Sequence, residues 1–451
     1  MKKVSVIAAA VASTLAAGAF AADVDFHGYA RAGVGLSGEG SHATYEKVKL
    51  GRLGNEDDLY AEIGLNAELY KKDDVTFNIE SLVAYGQAGN NNWEGNSNAL
   101  RVMNVQAKGL MESDKEAVLW AGQRYYQRKD IHITDFYFLD TSGGAGGGIE
   151  NLSVGGGKLS VAVMHDDGSQ SVKDGKTLKL STAGEASLKA CDGDLKCEMD
   201  IKNNSANYEE TDAFKDETVS GYTLDLRYAG IDLWEDANLE LAVAYDFASE
   251  AKDQTVLADD GVLLTAVLGQ GLSNGFNQTV LQYGTASYGA QMATYGAGGW
   301  YDRSGKNNDA DGYRLINWGV VGLGDAWELG HVVMFAQASD AFAKIGGVEA
   351  TGDITAYNAV IRPVYKWDEH MKTVFEAGYF YDEMDVNGGG ENKAAGSKLT
   401  VAQAWSAGSS FWARPEIRVY GSYFMDHEAD SFASNTDDSE FSVGIQMEAW
   451  W

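Results

Sequence analysis

Proline is almost absent, with two residues in a chain of 451. No proline-rich linker divides the sequence, and no helical-period segment of convincing length interrupts it. Beyond the first residues, nothing approaches the ~18 uninterrupted apolar residues of a membrane helix. Any membrane insertion must then use strands. Cations are also scarce: 35 Lys and Arg stand against 66 Asp and Glu, a net charge of −31. That excludes nucleic acid as a partner, because neutralising phosphates takes clustered Lys and Arg. The histidines number seven, and none sits in a convincing Ser/His/acid context, which argues against a lipase or protease. The only cysteines, Cys191 and Cys197, lie in a polar stretch with no histidine nearby, which speaks against a metal site.

What is present begins with a leader. Lys2 and Lys3 precede an apolar stretch over residues 4–17, and Ala19-Phe20-Ala21 has the small-x-small form of a cleavage site. Residues 1–21 are expected to be a signal peptide, with cleavage after Ala21 or after Ala22, and residues 22–451 a single domain. Export to an oxidising compartment points to a small-loop disulfide between Cys191 and Cys197.

Gly is abundant at 54 residues, with 23 Tyr and 11 Trp, a composition that suits short strands, tight turns and aromatic girdles. Runs of about ten residues alternate apolar and polar. Val24, Phe26, Gly28, Ala30, Ala32 and Val34 share one face; Asp25, His27, Tyr29 and Arg31 share the other. Leu59, Ala61, Ile63, Leu65 and Leu69 oppose Tyr60, Glu62, Asn66 and Glu68. The same holds for Leu239, Leu241 and Val243 against Glu240 and Asp246, and for Ile417, Val419 and Tyr423 against Glu416, Arg418 and Ser422. The last run reaches the final residue, with Phe441, Val443, Ile445, Met447 and Trp451 against Ser442, Gln446, Glu448 and Trp450.

Period two is a strand signal, and a soluble sandwich would give it too. The runs, however, approach the ~9–11 residues of a tilted membrane strand. Their polar faces also carry many charges, as a water-filled lumen would. The expectation is an all-β fold, a transmembrane antiparallel barrel, since open edges are not tolerated in lipid. Residues 169–218 and 295–311 are expected to be extracellular loops. Acidic stretches such as Glu56-Asp57-Asp58, Asp166-Asp167 and Asp437-Asp438 are expected to be solvated loops.

Several blocks resemble one family in order along the chain. Residues 24–31 (VDFHGYAR), Arg52-Leu53-Gly54-Asn55-Glu56, Tyr60-Ala61-Glu62, Tyr126-Gln127-Arg128, Asp135-Phe136-Tyr137, Gly275-Phe276-Asn277, Ile361-Arg362-Pro363, Arg414-Pro415 and the terminal Gln446-Met447-Glu448-Ala449-Trp450-Trp451 are similar to maltoporins, the LamB-type sugar porins. The resemblance runs over residues 24–451 and is weakest over 169–218.

It implies a barrel of about 18 strands, a homotrimer in the lipid of the Gram-negative outer membrane, and a row of aromatics over which sugar rings slide. The matching residues are Trp93, Tyr60, Tyr29, Trp450, Trp367 and Phe276, with the residue at the Trp93 position reaching in from a neighbouring subunit. A flanking polar track is implied at Arg31, Arg52, Glu62, Arg101, Arg128, Asp130, His132 and Asp135, with Tyr137 narrowing the constriction. Each charged member could equally be a structural ion pair in the wall. Alternation puts Tyr29, Tyr60, Trp450, Arg31 and Glu62 on the polar face. It puts Trp367 with Ile361 and Tyr365 unless Pro363 resets the count.

The implied function is facilitated diffusion of maltose and maltodextrins, with no cofactor and no catalysis. Retention of Tyr137, Arg128 and Asp135 favours maltodextrin over sucrose. Lys129, where the family often has His, and the cysteine pair at 191 and 197 are departures that bear on the loops, including any phage docking. The alternatives are a porin for other glycosides, a less selective general porin, and a secreted sugar-binding sandwich.

Overall fold

The last strand, Ser439–Trp450, shows how the alternation is used. Phe441 and Ile445 are 59% and 48% exposed, while Ser442 and Gln446 are 0% and 1% exposed. The apolar face looks outward and the polar face inward, the reverse of a soluble sandwich. The outward face is apolar along the barrel strands, from Val24–Ser37 onward, while the inward face is polar beside open lumen and partly apolar where the interior is packed.

The computed structural model describes residues 24–451 except 39, 42, 88–97, 192–193, 249–255 and 433–434. The leader expected over residues 1–21 and the expected slide residue Trp93 lie outside the described residues. One sheet of 19 strands includes the two-residue strand Gly40–Ser41; the other 18 form the wall. Neighbours are antiparallel, and the first strand pairs with both Leu59–Lys72 and Ser439–Trp450, which closes the barrel and removes every edge. Tight turns at 72–75, 154–157, 234–237 and 272–275 lie at the end where the chain begins. Asp73, Gly155 and Asp236 take left-handed φ there, as two-residue hairpins demand. Short turns mark the periplasmic end of such barrels and longer connections the outer end.

Several connections fold back into the lumen. The short helix Lys47–Leu50, the hairpin of Lys129–Ile131 with Phe136–Leu139, and the helix Ser287–Ala293 all lie inside. Ile131, Phe138, Tyr288, Met292 and Phe411 pack against inward Val280, Ile316 and Val332 as one apolar cluster. Buried Arg303 reaches Asp166 at 3.2 Å and Asp246 at 3.0 Å, tying the segment after that helix to the wall. The strands from Ala237 to Ser406 therefore face a filled interior over much of their length, and open space remains against the first strands and the last and at the outer ends around Asp382 and Lys393.

Three expectations change. Residues 169–218 are no simple loop: strands Gly157–Leu180 and Tyr208–Trp234 stay paired out to Leu180 and Tyr208. Beyond the bilayer a paired ribbon needs no apolar face, so its polar composition concealed it. Two helices cap the ribbon, Thr182–Lys189 and Leu195–Asn203, with Ser181 and Asp194 accepting backbone N–H bonds at their starts. Cys191 and Cys197 are disulfide-bonded there. Residues 295–311 turn inward, with Tyr301 and Arg303 buried. Glu56 and Asp166, expected in solvated loops, are buried in ion pairs.

Candidate functional site

The open lumen beside the first strands and the last includes a cavity of ≈650 Å³. Twelve of the fifteen residues expected to meet substrate line it: Tyr29, Arg31, Arg52, Tyr60, Glu62, Arg101, Arg128, Asp130, His132, Asp135, Tyr137 and Trp450. Strand alternation points Tyr29, Arg31, Tyr60 and Glu62 inward. The inward hairpin brings Asp130, His132, Asp135 and Tyr137 across the lumen to meet them. Tyr125, Asp140 and Ser142 complete the wall and were not foreseen. The chain leaves its strand at Gln123, so alternation could not tell which of Tyr125 and Tyr126 faces the cavity. Tyr126 instead stacks on Trp120 in the packed interior.

Much of the cavity wall is ionic, and Arg31, Arg52 and Glu62 are engaged. Arg31 makes a two-pronged contact with Asp58, Nε to Oδ1 and Nη2 to Oδ2, both at 2.8 Å. Arg52 holds Glu56 at 2.9 Å and Glu448 at 3.0 Å, and donates to the Tyr29 hydroxyl at 2.5 Å. Glu62 Oε1 accepts from the Tyr60 and Tyr125 hydroxyls at 2.7 and 2.8 Å. The Arg128 guanidinium lies between two rings, 3.5 Å from the centroid of Tyr125 and 4.7 Å from that of Tyr137. Burial works to raise the Glu56 carboxyl, but Arg52, Arg31 and Lys47 together pull it down to about 2. Burial, with the Arg52 charge beside it, holds the His132 imidazole well below its ordinary range, so this ring is neutral.

Aromatic rings line the cavity alongside these charges. Tyr29 and Tyr60 have ring centroids 6.3 Å apart. Trp450 meets the His132 ring edge-on at 5.7 Å, and His132 meets Trp412 at 5.2 Å. Trp412 lies nearly parallel to Phe276, 29° between planes and 6.5 Å between centroids. Phe276 in turn packs on Trp318. The rings form a discontinuous column from Tyr60 down to Phe276.

A family described as LamB porin matches residues 24–451. This chain belongs to the LamB porin family. As a LamB porin it is an outer-membrane β-barrel channel. It is similar to a protein named Maltoporin from Vibrio cholerae, 53% identical with the whole of both chains covered. A Maltoporin from Photobacterium profundum is 42% identical, over 99% of this chain and 98% of the relative. Maltoporin 1 from Klebsiella pneumoniae is 36% identical over 98% of each.

One expected residue of this porin is misplaced by the resemblance. Trp367 is 58% exposed, donates from Nε1 to Thr373 Oγ1 at 2.8 Å, and packs edge-on against Tyr365 on the outer face. Its neighbours place it in an outer aromatic belt with Trp327, at the periplasmic end. Pro363 does not reset the count: Ile361 pairs with Ala377 and Val364 with Val374, so the register is unbroken. The ring inside the barrel is Trp412, in the connection before Arg414-Pro415. The adjacent Phe411-Trp412 pair in a segment without alternation was the available signal.

Proposed function

We propose that this porin passes maltose and maltodextrins across the outer membrane by facilitated diffusion, as a homotrimer of one barrel domain (residues 22–451) after removal of a leader (1–21). The observation that carries the reading is the pairing, within one cavity, of an aromatic column with an ionic wall. The relatives named Maltoporin support the choice of sugar.

A glucose ring offers patches of C–H on its faces and hydroxyls around its rim. Tyr60, Tyr29, Trp450, Trp412 and Phe276 supply ring faces that stack on those patches with little directional demand. The hydroxyls meet Arg31, Arg52, Glu62, Arg101, Arg128, Asp130 and Asp135, whose charges strengthen each hydrogen bond. Arg31, Arg52 and Asp135 are already held in ion pairs, so a hydroxyl passing them exchanges with an existing bond and leaves no buried charge bare. Neutral His132 packs against Trp450 and Trp412 without adding charge. Each contact is weak and repeated, which favours passage over trapping. The Arg128 sandwich between Tyr125 and Tyr137 narrows the lumen. The surface ribbon with its disulfide tip is a candidate for phage docking.

Titration of ion current through planar bilayers tests this reading. Maltose to maltoheptaose should block the current, with affinity rising with length. Equal block by sucrose or cellobiose would indicate a less selective glycoside porin, and no block by any glucan at millimolar concentration would overturn the sugar channel.

A further inference from the structure

Toward the periplasmic end, below the arginine-bearing cavity, the lumen wall changes chemistry. Strand register sets Asp25 opposite Asn66, Asn66 opposite Glu80, and Glu68 opposite Asn78. It also sets Glu80 opposite Asn104 and Asn78 opposite Gln106. Carboxylates and carboxamides thus share the inward faces of four neighbouring strands, alternating along Asp25, Asn66, Glu80 and Asn104, with Glu68, Asn78 and Gln106 in the next row. Asn104 Nδ2 and Gln106 Nε2 both donate to Glu80 Oε2, at 3.0 and 3.1 Å. Asn66 Oδ1 is buried without a hydrogen-bond partner. Asp25, Asn66, Glu68, Asn78, Glu80 and Gln106 line a concavity of ≈520 Å³, and the only cation on that lining is Lys71, 3.5 Å from Glu68.

The position matters. Glu62 lies in the upper cavity and Asn66 in the lower one, on the same strand. Four residues of strand span roughly 14 Å, so a linear oligosaccharide seated above reaches the lower patch. A hydroxyl both donates and accepts. A carboxylate accepts and a carboxamide does both, so a face that alternates the two can satisfy a hydroxyl in either orientation. An anionic ligand would be repelled by Asp25, Glu68 and Glu80. Among the described residues no aromatic ring lines the concavity, so a ligand there is held by hydrogen bonds without stacking.

We propose that this patch is a second sugar site at the periplasmic exit, one that takes the leading rings of a neutral oligosaccharide as they leave the constriction. The inference rests on the sugar-channel reading and deepens it: the channel holds long sugars on two walls of different chemistry, stacking along the aromatic column and hydroxyl exchange on this patch. Weak binding without stacking on this wall favours release.

The test compares maltoheptaose with maltose as blockers of the full-length channel in planar bilayers. In Glu68→Ala/Asn78→Ala the ratio of their affinities should fall about fivefold, the worth of roughly one hydrogen bond. Asn66→Ala, which removes no internal contact of the unpartnered Oδ1, should lower the ratio in the same direction if the double variant fails to assemble. An unchanged ratio in folded variants overturns the exit site and leaves the sugar channel standing. A change confined to cation-over-anion selectivity also overturns it, because the wall would then act on ions alone. Absence of block in the unmodified channel removes both readings together.

Discussion

Tyr29 stands directly opposite Trp450 in the pairing of the first strand with the last. The aromatic column is therefore assembled across the seam that closes the barrel. Residues more than four hundred positions apart become neighbours only when the ring of strands is complete. The same seam places Glu448 within reach of Arg52, Arg414 and Arg418, so the ionic wall and the column share one foundation.

The column can be tested at the position where sequence resemblance and structure part. Trp412→Ala should weaken maltooligosaccharide block about fivefold, the loss of one stacked ring of ~1 kcal/mol. Trp367→Ala should leave the blocking constant alone, since its ring faces outward beside Tyr365. Current-noise titration of the two variants distinguishes them, and a loss confined to Trp367→Ala would reverse the assignment.

Arg128 should act on both conduction and binding. Its guanidinium fills the space between Tyr125 and Tyr137. Replacement by Ala opens the lumen and removes a charged donor. Single-channel conductance should rise while sugar affinity falls about tenfold, the worth of a charge-assisted bond. A rise in conductance with unchanged affinity would limit Arg128 to a steric role.

Protonation of His132 should not gate the channel in the neutral range. Burial and Arg52 depress its pKa, so the ring stays uncharged through the ordinary titration range of histidine. Glu56 is depressed to about 2, so its ion pairs contribute stability above the ordinary carboxylate range and lose it only as pH falls toward 2. Sugar affinity should be flat over that window. An inflection near pH 6.5 that disappears in His132→Gln would show that the imidazole titrates normally.

Arg303 should hold the inward segment after helix Ser287–Ala293. It is buried against Asp166 and Asp246, and Arg303→Met leaves two facing carboxylates without that cation. Breaking such an arrangement costs about 3–5 kcal/mol. Limited proteolysis of the reconstituted channel should then cut within residues 295–310, a site protected in the unmodified protein. Continued protection would mean that the apolar packing of Tyr288, Met292 and Tyr301 suffices.

Barrel architecture was legible without coordinates because membrane strands obey a local rule. Period two in Ser439–Trp450, lipid on one side and water on the other, leaves one way to orient each residue, and Tyr29, Tyr60 and Trp450 followed it inward. Alternation even placed Trp367 on the outer face correctly, where resemblance misled. Segments outside the strands had no such rule. The ribbon over 169–218 is polar on both sides because no lipid touches it, and the inward turn of 295–311 depends on Arg303 meeting acids about 60 and 140 positions away. Trp412 reaches Phe276 only because its connection folds into the barrel. The sequence by itself determined which residues face lipid and which face water, since that choice is made one strand at a time. Only the tertiary structure decided how much of the lumen is filled and which rings line what remains, because those outcomes depend on contacts between distant parts of the chain.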